Sequence, residues 1–198
     1  MWGFERRFVD PDEIDQGPLR TTRLWHITLG LWLVLSLPLL FMPLMPIQMV
    51  VLLVFLAGLA RLVVLDLKYL LLLDIYTLPL AFLGVATAPW VTGHSWLWSG
   101  AGLGAGLGIG LAFEGILRLL KRRGELGFGD VKMMALMGAW VGLFNLPFAL
   151  AIACLAGLVA SFCVPRGQAF PFGPALAAGT WGWLMFGDYL LALLRQLA

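Results

Sequence analysis

Charged residues are scarce in this sequence. They make up 12% of its 198 residues, whereas an average soluble domain carries roughly 25%. Hydrophobic residues account for 61% of the chain, and the mean hydropathy is +0.93. A small domain has too much surface relative to its volume to bury so many apolar side chains. The composition therefore excludes an ordinary soluble protein and predicts a chain that is covered by lipid.

Cysteine and histidine are also rare, with two of each. Cys154 and Cys163 lie in an apolar stretch and form no C-x-x-C pair. His26 and His94 are far apart and belong to no H-E-x-x-H motif, which argues against a zinc metalloprotease. The net charge is only +2, and no segment supplies the clustered basic face of a nucleic-acid-binding protein. We therefore expect no metal, no organic cofactor and no nucleic-acid partner.

Long apolar runs dominate what is present. A membrane-spanning helix needs about 20 mostly apolar residues, and runs near that length follow one another along most of the chain. The sequence therefore predicts an all-α, polytopic transmembrane helical bundle with about six to seven spans. The candidate spans are Leu24–Leu44, Ile47–Leu65, Leu70–Val91, Trp96–Leu120, Val131–Leu146, Phe148–Val164 and Pro174–Leu194.

The basic residues predict the orientation, because cytoplasmic flanks are enriched in Lys and Arg. With the N-terminus in the cytoplasm, Arg195 is the only one of the 13 Lys and Arg residues that falls outside the cytoplasmic flanks. The apolar run after residue 23 lacks a small-residue cleavage site, so we expect no cleaved signal peptide. We interpret residues 1–23 as a cytoplasmic N-terminal tail and residues 24–198 as the membrane domain.

Acidic residues are few beyond the tail. An ionisable group in or near the hydrocarbon region is costly and is a functional candidate by default. Two complete predicted spans separate Asp66 from Asp130, so both return to the cytoplasmic side at similar depth. The six acids beyond the tail are Asp66, Asp74, Glu114, Glu125, Asp130 and Asp188.

A close pair of carboxyl groups suits the hydrolysis of a peptide by water. One ionised carboxylate removes a proton from water, and one protonated acid polarises the scissile carbonyl. Two carboxylates in a weakly polar site cannot both ionise easily, so the pair shares a proton. Other interpretations remain open: a lone aspartate can cap a helix, a transporter or proton-conducting protein can use both as a relay, and a scaffold of a secretion apparatus needs neither.

The residues around Asp130 favour the peptidase. Gly127 and Gly129 precede the carboxyl at a predicted loop-to-helix entry, where absent side chains leave room for an extended substrate strand. Residues 127–135 read GFGDVKMMA and residues 138–142 read GAWVG. This stretch resembles the G-x-G-D-x-K-x-x-A-x-x-G-A-W-x-G signature of type IV prepilin peptidases. Lys132 either draws a carboxylate or carbonyl into the site or extends to the interface as a snorkelling lysine.

Two further segments resemble the same family in the same order. Asp66, followed eight positions later by DIYTLPL from Asp74, is similar to its first catalytic segment, and PFGP at residues 171–174 is similar to a motif before the last helix. Leu73 stands where many members have proline, and Glu125 is shifted by one place from the usual acidic position. Neither departure removes a catalytic group.

The resemblance implies an intramembrane aspartyl peptidase of the bacterial inner membrane with Asp66 and Asp130 as the catalytic pair. Asp74 matches a position outside that pair, and we expect a structural or substrate-positioning role for it. The family's membrane enzymes remove a short basic leader from prepilins and pseudopilins, cutting after a glycine at the cytoplasmic face. Bifunctional members also methylate the new N-terminus and carry a cysteine-rich segment, which this sequence lacks. We therefore expect peptidase activity without N-methylation.

Glycines repeat through the fourth predicted span. They form two rows at four-residue spacing on neighbouring faces, a pattern that lets helices pack closely in lipid. We interpret both rows as packing surfaces, because a dinucleotide site would need a preceding strand. The first row is Gly100, Gly104 and Gly108, and the second is Gly102, Gly106 and Gly110.

Overall fold

The structure is a computed structural model that describes residues 22–120, 127–162 and 171–197. Within these ranges every regular element is a helix, which confirms the all-α prediction. Residues 1–21 of the predicted tail, Glu125 and Cys163 lie outside the described residues. The seven α-helices are α1 (Thr22–Ser36), α2 (Pro46–Tyr69), α3 (Asp74–Val91), α4 (Trp96–Leu119), α5 (Phe128–Val141), α6 (Leu146–Ser161) and α7 (Gly173–Leu197), and a short 3₁₀ helix, Leu37–Phe41, follows α1.

Several of these helices have the length and composition of membrane spans. Four described stretches are long and apolar enough to cross a membrane: Leu24–Phe41, Pro46–Tyr69, Asp74–Val91 and Trp96–Leu119. The helix α6 is apolar but shorter. Many large apolar side chains on these helices are exposed, as expected of a surface that faces lipid instead of water. The protein is therefore a multi-pass membrane protein.

The short helix α5 occupies the centre of the bundle. It contacts α3, α4, α6 and α7, and each of its residues from Met133 to Val141 is buried. Its 14 residues correspond to about 21 Å of helix, which is less than the roughly 30 Å of a hydrocarbon core. Other helices surround α5, so it does not need to be long enough to cross the hydrocarbon core by itself.

Trp140 fixes this central helix against two others. Its side chain is completely buried, and its indole N–H donates a hydrogen bond to the Leu80 carbonyl of α3 at 2.9 Å. Its ring lies against Phe55 of α2, with 4.0 Å between the ring centroids. A methyl group on Gly84 would come within 2.8 Å of the Trp140 ring, so α3 can approach only because residue 84 lacks a side chain.

The two glycine rows of α4 have different surroundings. Methyl groups on Gly102 or Gly106 would collide with the backbone of α5. No atom lies within 4 Å of the corresponding positions at Gly100, Gly104 or Gly108. The packing role is confirmed for the second row, whereas the first row faces away from the described helices.

Two predicted span boundaries are wrong. The third span was expected to begin at Leu70, but Leu70 adopts the left-handed conformation (φ 53°) that ends α2, and α3 begins at Asp74. The fifth was expected to run to Leu146, but α5 ends at Val141, since Gly142 has a positive φ of 77°. Hydropathy does not detect either break, because leucine and glycine continue an apolar run without a polar interruption.

Candidate functional site

Asp66 lies in the last turn of α2 and is 5% exposed. Its Oδ2 accepts a hydrogen bond of 2.9 Å from the backbone N–H of Gly173. Gly173 is the first residue of α7, and the first N–H groups of a helix have no partner within the helix. The start of the last helix therefore supplies a donor to a buried acid of the second.

Asp130 is the third residue of α5 and is half-buried. Its Oδ2 accepts a hydrogen bond of 3.1 Å from the backbone N–H of Gly127. Gly127 has extended backbone angles (φ −81°, ψ 148°) just before the helix, so Asp130 does lie at a loop-to-helix entry. The acid of the G-x-G-D motif is thus held by its own N-terminal turn.

The segments that carry the two acids meet in the connection between α2 and α3. Leu72 connects their surroundings, because methyl groups on Gly129 and Gly173 would lie 2.8 Å from its Cβ and 3.2 Å from its Cδ2, respectively. Among the described residues, no group donates a hydrogen bond to Oδ1 of either acid. Each carboxyl group therefore keeps one oxygen for water or a substrate.

Asp74 and Lys132 form an ion pair between the two segments that carry these acids. The Lys132 Nζ lies 2.6 Å from both Oδ1 and Oδ2 of Asp74, and it lies 4.9 Å from the centre of the Phe128 ring. Asp74 begins α3 and Lys132 lies in the first turns of α5. The bond therefore joins the segment that follows Asp66 to the segment that carries Asp130.

Sequence reasoning did not identify Gly173 and Leu72 as parts of this site. The motif at residues 171–174 was noticed, but the sequence offers no reason to assign its N–H to an acid more than 100 residues earlier. Leu72 stands in a run of four leucines, Leu70–Leu73, in which nothing distinguishes one member. The chemistry of Gly173 resides in its backbone, which a search for reactive side chains does not find.

Two carboxyl groups on neighbouring segments can perform acid–base chemistry on a bound water. Each accepts one backbone hydrogen bond through Oδ2, and among the described residues neither accepts one through Oδ1. Within the described ranges, no three His, Cys, Asp or Glu side chains cluster as ligands of a metal ion. Of the remaining predicted site residues, Gly127 and Gly129 lie directly before Asp130, and Asp74 and Lys132 join the segment after Asp66 to the segment that carries Asp130.

Curated proteins from several bacteria are similar to this chain. They are named prepilin leader peptidase/N-methyltransferase in Neisseria gonorrhoeae (35% identity over 57% of this chain and 40% of the relative), Burkholderia pseudomallei (36%, 60% and 41%) and Pseudomonas aeruginosa (29%, 71% and 51%). The chain thus spans about half the length of the curated relatives it matches. No solved structure matches it.

The profile of the type IV leader peptidase family matches residues 53–162. This segment covers more than half of the chain and contains Asp66, Asp74, Asp130 and the G-x-G-D motif. The chain therefore belongs to the type IV leader peptidase family.

Proposed function

We propose that this protein is a membrane-embedded aspartyl endopeptidase that removes the short basic leader of prepilins or pseudopilins, cutting after a glycine. One observation carries the proposal: the two acids of the family signatures, Asp66 and Asp130, lie on segments that meet at Leu72, and each accepts a hydrogen bond from a backbone N–H through one oxygen. The proposal covers peptide hydrolysis, because the segment that matches the family contains both acids.

The reaction needs one proton on the pair. The ionised acid takes a proton from water, the oxygen of that water bonds to the scissile carbonyl carbon, and the protonated acid donates its proton to the carbonyl oxygen. The tetrahedral intermediate then returns a proton to the second acid, while the first protonates the departing nitrogen as the C–N bond breaks. The pair ends with one proton, as it began, and the titration belongs to both acids together.

We assign the site to the cytoplasmic face. Asp66 lies at the C-terminal end of α2, and Lys68 and Arg118 lie near the same end of the bundle on α2 and α4. Cytoplasmic flanks are enriched in such residues, which supports a cytoplasmic N-terminus. Single cysteines at the exposed positions Lys68 and Ser95, in a chain without its native cysteines, test this orientation. An impermeant maleimide should label position 68 from the cytoplasmic side and position 95 from the opposite side.

Cleavage of a synthetic substrate tests the activity itself. The substrate is a basic leader that ends in glycine and is followed by an apolar helix, and the enzyme is the purified protein in detergent. Asp66→Asn and Asp130→Asn should each abolish cleavage after the glycine, because hydrolysis requires both proton-transfer roles. The protein should remain folded, since asparagine keeps the size and much of the hydrogen bonding of aspartate.

A matched control is available in the same chain. Asp188→Asn makes the same chemical change on α7, fifteen residues after Gly173, or about 22 Å along the helix, and it should leave the cleavage rate unchanged. Cleavage by a folded Asp130→Asn variant at the wild-type rate would overturn the assignment. Failure of the folded wild type across a panel of leaders would favour a transporter or a scaffold.

A further inference from the structure

Leu72 lies between the two segments that carry the acids. It belongs to the connection between α2 and α3 and is half-buried. A methyl group on Gly129 would lie 2.8 Å from its Cβ and 3.3 Å from its Cδ1, and one on Gly173 would lie 3.2 Å from its Cδ2. The leucine side chain therefore fills the space beside Gly129, which precedes Asp130, and beside Gly173, whose N–H binds Asp66.

Both ends of this connection are fixed. Leu70 has a positive φ of 53°, a conformation that residues with a side chain rarely adopt and that persists only where the surroundings enforce it. At the other end, Asp74 is bound by Lys132 at 2.6 Å. Leu72 therefore lies in a connection of three residues between these two points, which limits how far its side chain can move.

A bound substrate has to approach this side chain. The scissile carbonyl carbon must come within about 3–3.5 Å of the attacking water, and the Cα of the residue before the bond is about 1.5 Å from that carbon. The side chain of this residue therefore begins within a few ångströms of the two acids. Leu72 lies in the same region, because a methyl group on Gly173 would contact both Asp66 Oδ2, at 2.6 Å, and Leu72 Cδ2, at 3.2 Å.

We propose that Leu72 is a specificity-determining residue: its side chain closes the space beside the acids and restricts the position before the scissile bond to a residue without a side chain. The proposal rests on the proposed peptidase function. Its physical basis is steric, since a filled and fixed space cannot take an additional methyl group without moving a neighbour.

Paired peptides test this proposal on the purified protein in detergent. The two peptides share a basic leader and an apolar helix and differ only in glycine or alanine before the scissile bond, and kcat/KM is measured for each. Wild type should favour the glycine peptide strongly. Leu72→Ala should raise the relative kcat/KM for the alanine peptide by about tenfold or more, because one methyl group in a pocket is worth on that order in discrimination. Leu72→Val should give a smaller change in the same direction.

The neighbouring variant Leu71→Ala is the control, since it shortens another leucine of the same connection and should leave the ratio unchanged. An unchanged ratio in both Leu72 variants, with the glycine peptide still cleaved, would overturn the role of Leu72 alone. Loss of cleavage of both peptides in both variants would also overturn it, because Leu72 would then set the separation of the acids. If wild type cleaves neither peptide, the proposed function falls, and this inference falls with it.

Discussion

Gly173→Ala should displace the Asp66 carboxyl group while leaving the free energy of unfolding almost unchanged. A methyl group at residue 173 would lie 2.6 Å from Oδ2 and 3.0 Å from Cγ of Asp66. Ordinary contact starts at 3.4 Å, so the carboxyl oxygen has to retreat by about 0.8 Å. The clash falls on the end of a rotatable side chain, and rotation of that side chain relieves it without moving a helix.

The two consequences differ greatly in size. A side chain that turns about 30° from its rotamer costs roughly 0.5–1.5 kcal/mol, so the unfolding midpoint should change little. A catalytic group that is misplaced by about 1 Å costs on the order of 100-fold in rate. We therefore expect Gly173→Ala to lower kcat for the leader peptide about 100-fold, with KM much less affected.

The assay is peptide cleavage in detergent beside a thermal unfolding curve. Gly182→Ala is the matched control on the same helix, because its methyl group would meet Ile152 at an ordinary 3.5 Å. This control should retain wild-type cleavage. A Gly173→Ala protein that cleaves within about threefold of wild type would refute the reasoning, because Asp66 would then not need its present position.

Three further predictions follow from other contacts. Reversing one charge of the Asp74–Lys132 pair should reduce cleavage. It should cost about 1 kcal/mol of stability or less, since half of the Asp74 side chain is exposed. Exchanging both charges should restore cleavage. Gly106→Ala should lower the unfolding temperature by forcing α4 from the α5 backbone, whereas Gly104→Ala, with no atom within 4 Å, should not. The pH profile of kcat/KM should fall on both sides of its maximum, because two protons or none on the pair remove one of its roles.

The sequence predicts the bundle well because its physical basis is local. Apolar runs of sufficient length produce helices in lipid, and the spacing of Asp66 and Asp130 by two whole spans returns both to one end. The break within Leu70–Leu73 is different, because it depends on the left-handed conformation of Leu70. Nothing in a run of four leucines predicts which one adopts that conformation. This break affects the site, since a helix that continued through Leu70 would have carried Leu72 away from the acids.

The glycine rows of α4 also show that a local sequence pattern does not reveal which face packs against another helix. Both rows have the same spacing and the same residue type, so the sequence predicts two equivalent packing faces. Only the position of α5 decides that Gly102 and Gly106 are in contact while Gly100 and Gly104 are not. Contacts between distant segments, such as the bond from the Gly173 N–H to Asp66, likewise depend on how helices assemble rather than on any local pattern.

Two helix N-termini stabilise the negative charge of the acids at this site. Asp130 lies in the first turn of α5, and Asp66 accepts its bond from the first residue of α7. Free N–H groups and the positive end of the helix dipole both favour negative charge there. Burial opposes that charge, and the mutual repulsion of the acids opposes a second one. One proton shared by the pair, as the proposed mechanism requires, would satisfy all of these forces.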